Sequence, residues 1–194
     1  LGLRLVNAAK NREVSNLTLE PKAEVVLEVD RLRCWHPGRG MPWELNWIKA
    51  IDEVSFSLRV GETLGLVGVS GCGKSTLCRA LLGLLPIRGG DVKMFGKTLG
   101  FQNRKYLKQA RQSLQMVFQD PFASLNPKMT VSQNIADPML VHKLFNRSQA
   151  KEKARELLEQ VGLSPAERFQ NRMPNQLSGG QQQRVAIARA LSLN

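Results

Sequence analysis

The run Gly68-Val69-Ser70-Gly71-Cys72-Gly73-Lys74-Ser75 constrains this chain more than any other. It has the spacing of a phosphate-cradling loop, a glycine and four variable residues followed by Gly-Lys-Ser. Before it lies Thr63-Leu64-Gly65-Leu66-Val67, short and apolar like a buried strand. After it, Leu77, Ala80, Leu81 and Leu84 recur at helical spacing. Strand, glycine turn and helix in that order predict an α/β fold. Glycines let the backbone turn sharply and bring its N–H groups to an anion, and the helix N-terminus adds a favourable dipole. Lys74 offers a point charge for β- and γ-phosphates, Ser75 a hydroxyl for Mg²⁺, and Thr76 a contact to the α-phosphate. The implied ligand is a nucleoside triphosphate, held by Gly68, Ser70, Gly71, Cys72, Gly73, Lys74, Ser75 and Thr76.

A second glycine motif lies far downstream, at Leu177-Ser178-Gly179-Gly180-Gln181-Gln182-Gln183-Arg184. It reads as a turn entering a helix through Val185, Ala186, Ile187, Ala188 and Ala190. Ser178 and the amides of Gly179 and Gly180 can then face a phosphate. This run, with Gln181, resembles the signature of ATP-binding-cassette (ABC) ATPases. The resemblance implies a P-loop NTPase cassette of α/β class, with an antiparallel β subdomain and a helical subdomain. It also implies a head-to-tail dimer, in which the signature of one ATPase subunit closes over the γ-phosphate of ATP on the loop of the other.

Between the two motifs, Met116-Val117-Phe118-Gln119-Asp120-Pro121 places a glutamine after an apolar strand. Gln119 resembles the family's Q-loop glutamine, which touches Mg²⁺ or the attacking water and reports nucleotide state to the membrane partner. The longer run over residues 119–131 and the stretch Arg172-Met173-Pro174-Asn175-Gln176 are similar to the ATPase subunits of dipeptide and oligopeptide importers. Nickel and glutathione importers share much of this pattern. The resemblance covers about residues 24–194 and implies permease subunits in a membrane, a second ATPase subunit and, indirectly, a solute-binding protein as partners. The expected location is peripheral, on the cytoplasmic face of the cell membrane.

The chain has 194 residues, 42% of them hydrophobic, enough for a core of ordinary domain size. Apolar runs stay well short of the ~18 residues that would span a bilayer. Cys34, Cys72 and Cys78 lack metal-site spacing. The net charge of +12 raises the question of nucleic acid. The basic residues are scattered, however, without a zinc motif or interleaved aromatics, so no nucleic-acid partner is expected. Solvated surface, phosphates and an anionic leaflet explain the charge more economically. The chain starts at Leu1 and stops just after a helix, which suggests a fragment truncated after the signature helix. In the family a strand ending in Asp-Glu follows; its Asp binds Mg²⁺ through water and its Glu is the hydrolytic base. A switch histidine comes later. The expectation is that this fragment binds MgATP and is a poor ATPase alone.

Residues 1–22 read as a linker or tail, and 23–194 as the N-terminal part of the ATP-binding domain. Val25, Leu27 and Val29 alternate, as do Val54, Phe56 and Leu58, which predicts strands. The resemblance implies that this sheet holds the adenine ring and that an aromatic residue stacks on it. Trp35 is the choice from its place after Leu32-Arg33-Cys34, with Trp43 and Trp47 as rivals. The helical subdomain is placed at about 123–180. Asn146 or Ser148 can cap a helix carrying Ala150, Ala154, Leu157, Leu158 and Val161, with Gly162 just past its end. Phe122, Leu125 and Met129 either line a groove for a short helix of the membrane subunit or serve as core.

Other function classes fit less. A GTPase needs Asn-Lys-x-Asp, which is absent from the sequence. A P-loop kinase leaves the motif at Ser178 unexplained. A soluble ABC ATPase acting on nucleic acid or the ribosome remains the alternative of another class, against which the run 119–131 argues.

Overall fold

Alternation along residues 25–29 leads into a long antiparallel pair, Val25–Pro37 (β2) against Trp47–Arg59 (β3). This is a computed structural model, which describes residues 4–7, 24–37, 47–99, 104–122 and 124–193. It divides into two units, Leu1–Ala110 and Arg111–Asn194. In the first, Leu27 and Val29 are buried, the alternation slips at Asp30 and Arg31, and Leu32 and Cys34 resume it. Arg31 takes φ 42° at the slip. The extra residue makes a bulge, which returns the next apolar pair to the core side. Gly89–Met94 (β5) pairs with the other edge of β2, and Lys97–Thr98 (β6) with β5. Gly90 faces the bulge with φ +82°, and a side chain there would lie 2.3 Å from the Arg31 carbonyl.

Four residues of the stretch expected as linker, Arg4–Asn7 (β1), form a strand rather than coil. They pair antiparallel with Leu64–Val67 (β4), which leads into the glycine loop. The following helix, Lys74–Leu81 (α1), packs on β2 and β3 through Leu77 and Ala80, both fully buried. It stops earlier than the spacing through Leu84 predicts. Gly83 enters the left-handed region at φ +64° and donates to Ala80 O, while Leu84 N–H reaches back to Arg79 O. That glycine-terminated end leaves Leu84 half exposed.

The second unit begins within Arg104–Ser113 (α2), at Arg111. Its core is built by Val131–Val141 (α3), Arg147–Gln160 (α4) and Gly179–Leu191 (α5). Val131, Ile135 and Met139 on α3 meet Ala150, Ala154, Leu157 and Leu158 on α4, with Val185 and Ala188 from α5. The predicted α4 is present as read. Asn146 caps it, accepting from Gln149 N–H, while Gln149 reaches back to Asn146 N–H. Gly162, at φ +75°, lies just beyond its end. Arg184 of α5 donates to Gly162 O at 3.0 Å, so α5 satisfies a carbonyl at the end of α4. Helix occupies less of 123–176 than expected, because short 3₁₀ turns at Ala166–Arg168 and Pro174–Gln176 fill the approach to α5. Residues 116–118, expected as an apolar strand, carry no regular structure. They have no ladder partner among the described residues, and Val117 is exposed.

Candidate functional site

The glycine loop closes around its own lysine. Lys74 Nζ donates to Gly68 O at 2.6 Å and to Val69 O at 2.9 Å, and lies 3.5 Å from Cys72 Sγ. Cys72 N–H donates to Val69 O, tightening the turn. Two glycines carry the required left-handed backbone, Gly71 at φ +81° and Gly73 at φ +98°. Gly73 has a second reason to be glycine: a side chain there would stand 2.4 Å from Ala50 O on β3.

Gly73 is also the N-cap of α1, and no side chain caps the helix. The first-turn amides of α1 therefore face a loop whose residues 68–71 are exposed. This is an anion cradle by its chemistry: unclaimed N–H donors, a helix dipole and one ammonium. Ser70 and Ser75 are exposed beside it and Thr76 is half-buried. Among the described residues no cluster of three His, Cys, Asp or Glu side chains could hold a metal by itself. That suits Mg²⁺, which takes few protein ligands and leans on phosphate oxygens and water. The Ser75 hydroxyl lies in the first turn of α1, next to Lys74.

Trp35 is on β2, directly across from Lys49 on β3, whose ammonium lies 5.1 Å from the ring centre. Its indole N–H is buried with no hydrogen-bond partner among the described residues. Of its two rivals, Trp47 pairs with Pro37 at the far end of the same ladder, with the Arg88 guanidinium 4.2 Å from its ring. Trp43 lies outside the described residues. Cys34 is buried and donates from Sγ to Pro86 O, and burial pushes its thiol above the usual range. Cys34 is thus a core residue.

The second unit carries the other motif. Ser178 is the N-cap of α5, its hydroxyl accepting from Gln181 N–H at 3.3 Å while Gln181 Oε1 accepts from Ser178 N–H at 3.0 Å. Side chains added at Gly179 or Gly180 would meet nothing within 4 Å. These glycines are therefore bare by choice of surface rather than by internal crowding. Gln119 lines an open groove with Asp120, Pro121, Phe122, Gly179 and Gln183, so the structure brings the candidate glutamine and the glycine motif to one surface. Of the three groove candidates, Phe122 is exposed there, while Leu125 is core at 4% exposure. Met129 lines a second depression with Asn126, Asn134, Asp137 and Arg189.

One residue of this motif escaped the sequence reading. Gln182 is fully buried and donates from Nε2 to Pro174 O at 2.7 Å and to Leu177 O at 3.3 Å. It ties the first turn of α5 to the 3₁₀ turn before it. The available signal was its spacing: Gln182, Val185 and Ala186 share the inward face of α5.

Comparison with known proteins agrees with this geometry. The pattern of the ABC transporter family matches residues 51–194. The chain belongs to the ABC transporter family. It is 44% identical over 174 residues to the oligopeptide transport ATP-binding protein AppF of Bacillus subtilis, covering 88% of this chain and 52% of that protein. It is 43% identical over 179 residues to the glutathione import ATP-binding protein GsiA of Pectobacterium atrosepticum, covering 91% of this chain and 28% of that one. Among solved structures, the ATP-binding cassette MJ0796, a dimer in a post-hydrolysis state bound to ADP and Pi, aligns with a TM-score of 0.72. Identity is 30%, over 87% of this chain and 70% of that one. The chain spans about half the length of the oligopeptide transport relative. The fold is that of an ABC ATPase cassette, as the motifs implied.

Proposed function

We propose that this chain is the nucleotide-binding part of an ATPase subunit that powers an ABC importer of di- or oligopeptides. The observation that carries the reading is the uncapped start of α1 inside a left-handed glycine loop closed on Lys74. Residues 23–194 are the N-terminal part of its ATP-binding domain, with a helical subdomain at about 123–180. Lys74 holds the β- and γ-phosphates of ATP, Ser75 and Gln119 face Mg²⁺, and the amides of residues 68–76 line the phosphates. When bound, Mg²⁺ neutralises charge on the phosphates and orients them for transfer to water. Ser178, Gly179, Gly180 and Gln181 serve the nucleotide of a second, head-to-tail subunit, and their open surroundings suit that role.

Trp35 stacks on the adenine. Trp35→Ala is expected to weaken MgATP binding about fivefold or more, from the usual worth of base–aromatic stacking. Calorimetry reads this directly, and an unchanged affinity would pass the role to Trp47 or Trp43. Among the described residues no helix is long and apolar enough to cross a membrane. Attachment to the cytoplasmic face runs through permease subunits, to which a solute-binding protein delivers cargo. No nucleic acid enters this scheme.

The similarity to GsiA favours glutathione as the second reading. Uptake of labelled oligopeptide, glutathione and nickel by cells lacking the gene separates them. Loss of peptide uptake alone is the expected result; intact peptide uptake with loss of glutathione uptake would transfer the assignment.

A further inference from the structure

Trp35 is held in an unusual way. Buried indole N–H groups generally find an acceptor, yet that of Trp35 has none among the described residues. The polar contact on this ring comes instead from outside its plane. Lys49 is its cross-strand partner. The ammonium stands 5.1 Å from the ring centre, within reach of cation–π attraction. The same ammonium donates to Asp52 Oδ2 at 3.3 Å. The next residue on β3 is Ala50, whose carbonyl abuts Gly73 at the start of α1. One strand therefore sets both the close approach at the phosphate loop and the cation over the indole.

We propose that Lys49 is a positioning residue for the nucleotide base. Held by Asp52, it pins Trp35 from one ring face and presents the other face to a purine. This rests on the reading of Trp35 as the stacking residue. The loop then sets where the phosphates lie and Lys49, through Trp35, sets where the base lies.

The test uses the full chain and two ligands, MgATP and inorganic tripolyphosphate, the second of which has no base. Lys49→Met keeps the stem and removes the cation; Lys49→Arg keeps a cation that stacks well on an aromatic face. Lys49→Met is expected to weaken MgATP about two- to fivefold, the range a cation–π contact commands. Tripolyphosphate binding should not change, and Lys49→Arg should restore MgATP. With Trp43→Phe and Trp47→Phe as background, Trp35 is the sole remaining tryptophan of three. Its emission should shift in Lys49→Met and lose part of its response to MgATP. If Trp35→Ala weakens MgATP while Lys49→Met does not, the positioning role is wrong and base stacking stands. If Trp35→Ala changes nothing, both fall. Equal weakening of MgATP and tripolyphosphate would also overturn the proposal, since Lys49 would then act on the phosphates or on the fold.

Discussion

Lys74→Ala is expected to weaken MgATP binding on the order of 100-fold while leaving the chain folded. The Lys74 ammonium bonds two carbonyls of its own loop, at 2.6 and 2.9 Å. Gly68 and Val69, which carry those carbonyls, are exposed. Water satisfies them when the ammonium is gone, so little stability is at stake. The phosphate contact is a different matter. Hydrogen bonds to charged groups are each worth about 1.5–3 kcal/mol, and a polyphosphate has no second ammonium in this loop to turn to. Calorimetry with MgATP, beside circular dichroism on the same sample, checks both halves. A folded Lys74→Ala chain that binds as tightly as the parent would overturn the assignment of the loop. MgGTP is the informative comparison, because a loop that reads phosphate alone holds it as well as MgATP.

Gly73→Ala, one residue earlier, should do the reverse and cost the fold. The position sits at φ +98°, a region that L-residues enter at about 1–2 kcal/mol. Its new methyl would also stand 2.4 Å from Ala50 O. That oxygen belongs to the β3 backbone, which is paired with β2 and cannot swing aside like a side chain. Overpacking of this kind adds about 1–3 kcal/mol. Together they predict a loss of about 3 kcal/mol, a large share of the stability of an ordinary domain. Urea unfolding reads it as a lower midpoint. Gly71→Ala is the control, with a left-handed backbone at φ +81° but open space where the methyl would go. It should cost about 1 kcal/mol. Equal midpoints for the two variants would mean that β3 does not press on the start of α1.

What was legible in the sequence is what local chemistry writes. The loop glycines, the cap at Asn146 and the end of α4 at Gly162 depend on residues within one or two turns, and all are where they were read. The bulge at Arg31 was not legible. It depends on Gly90, 59 positions away along the chain and adjacent only once β5 pairs with β2. Apolar spacing predicts that α1 runs on through Leu84, whereas the left-handed glycine at 83 stops it at Leu81. Gln182 stands in a row of three glutamines, of which only its side chain is fully buried, a distinction that composition does not carry. The placement of Lys49 over Trp35 needed the ladder register, which no spacing within one strand supplies.

The helices α3, α4 and α5 all begin with the same device, Thr130 with Gln133, Asn146 with Gln149 and Ser178 with Gln181. In each the residue that reaches back is an amide where a carboxylate would serve equally well as an acceptor. None of the three has an acidic residue in its first turn. These starts are consequently indifferent to acid: there is no carboxylate whose protonation would loosen them. The choice matters most at Ser178, because a glutamate at position 181 would set a negative charge beside the bare glycines and spend the field of the helix end on itself. The amide closes the turn and leaves that field directed outward.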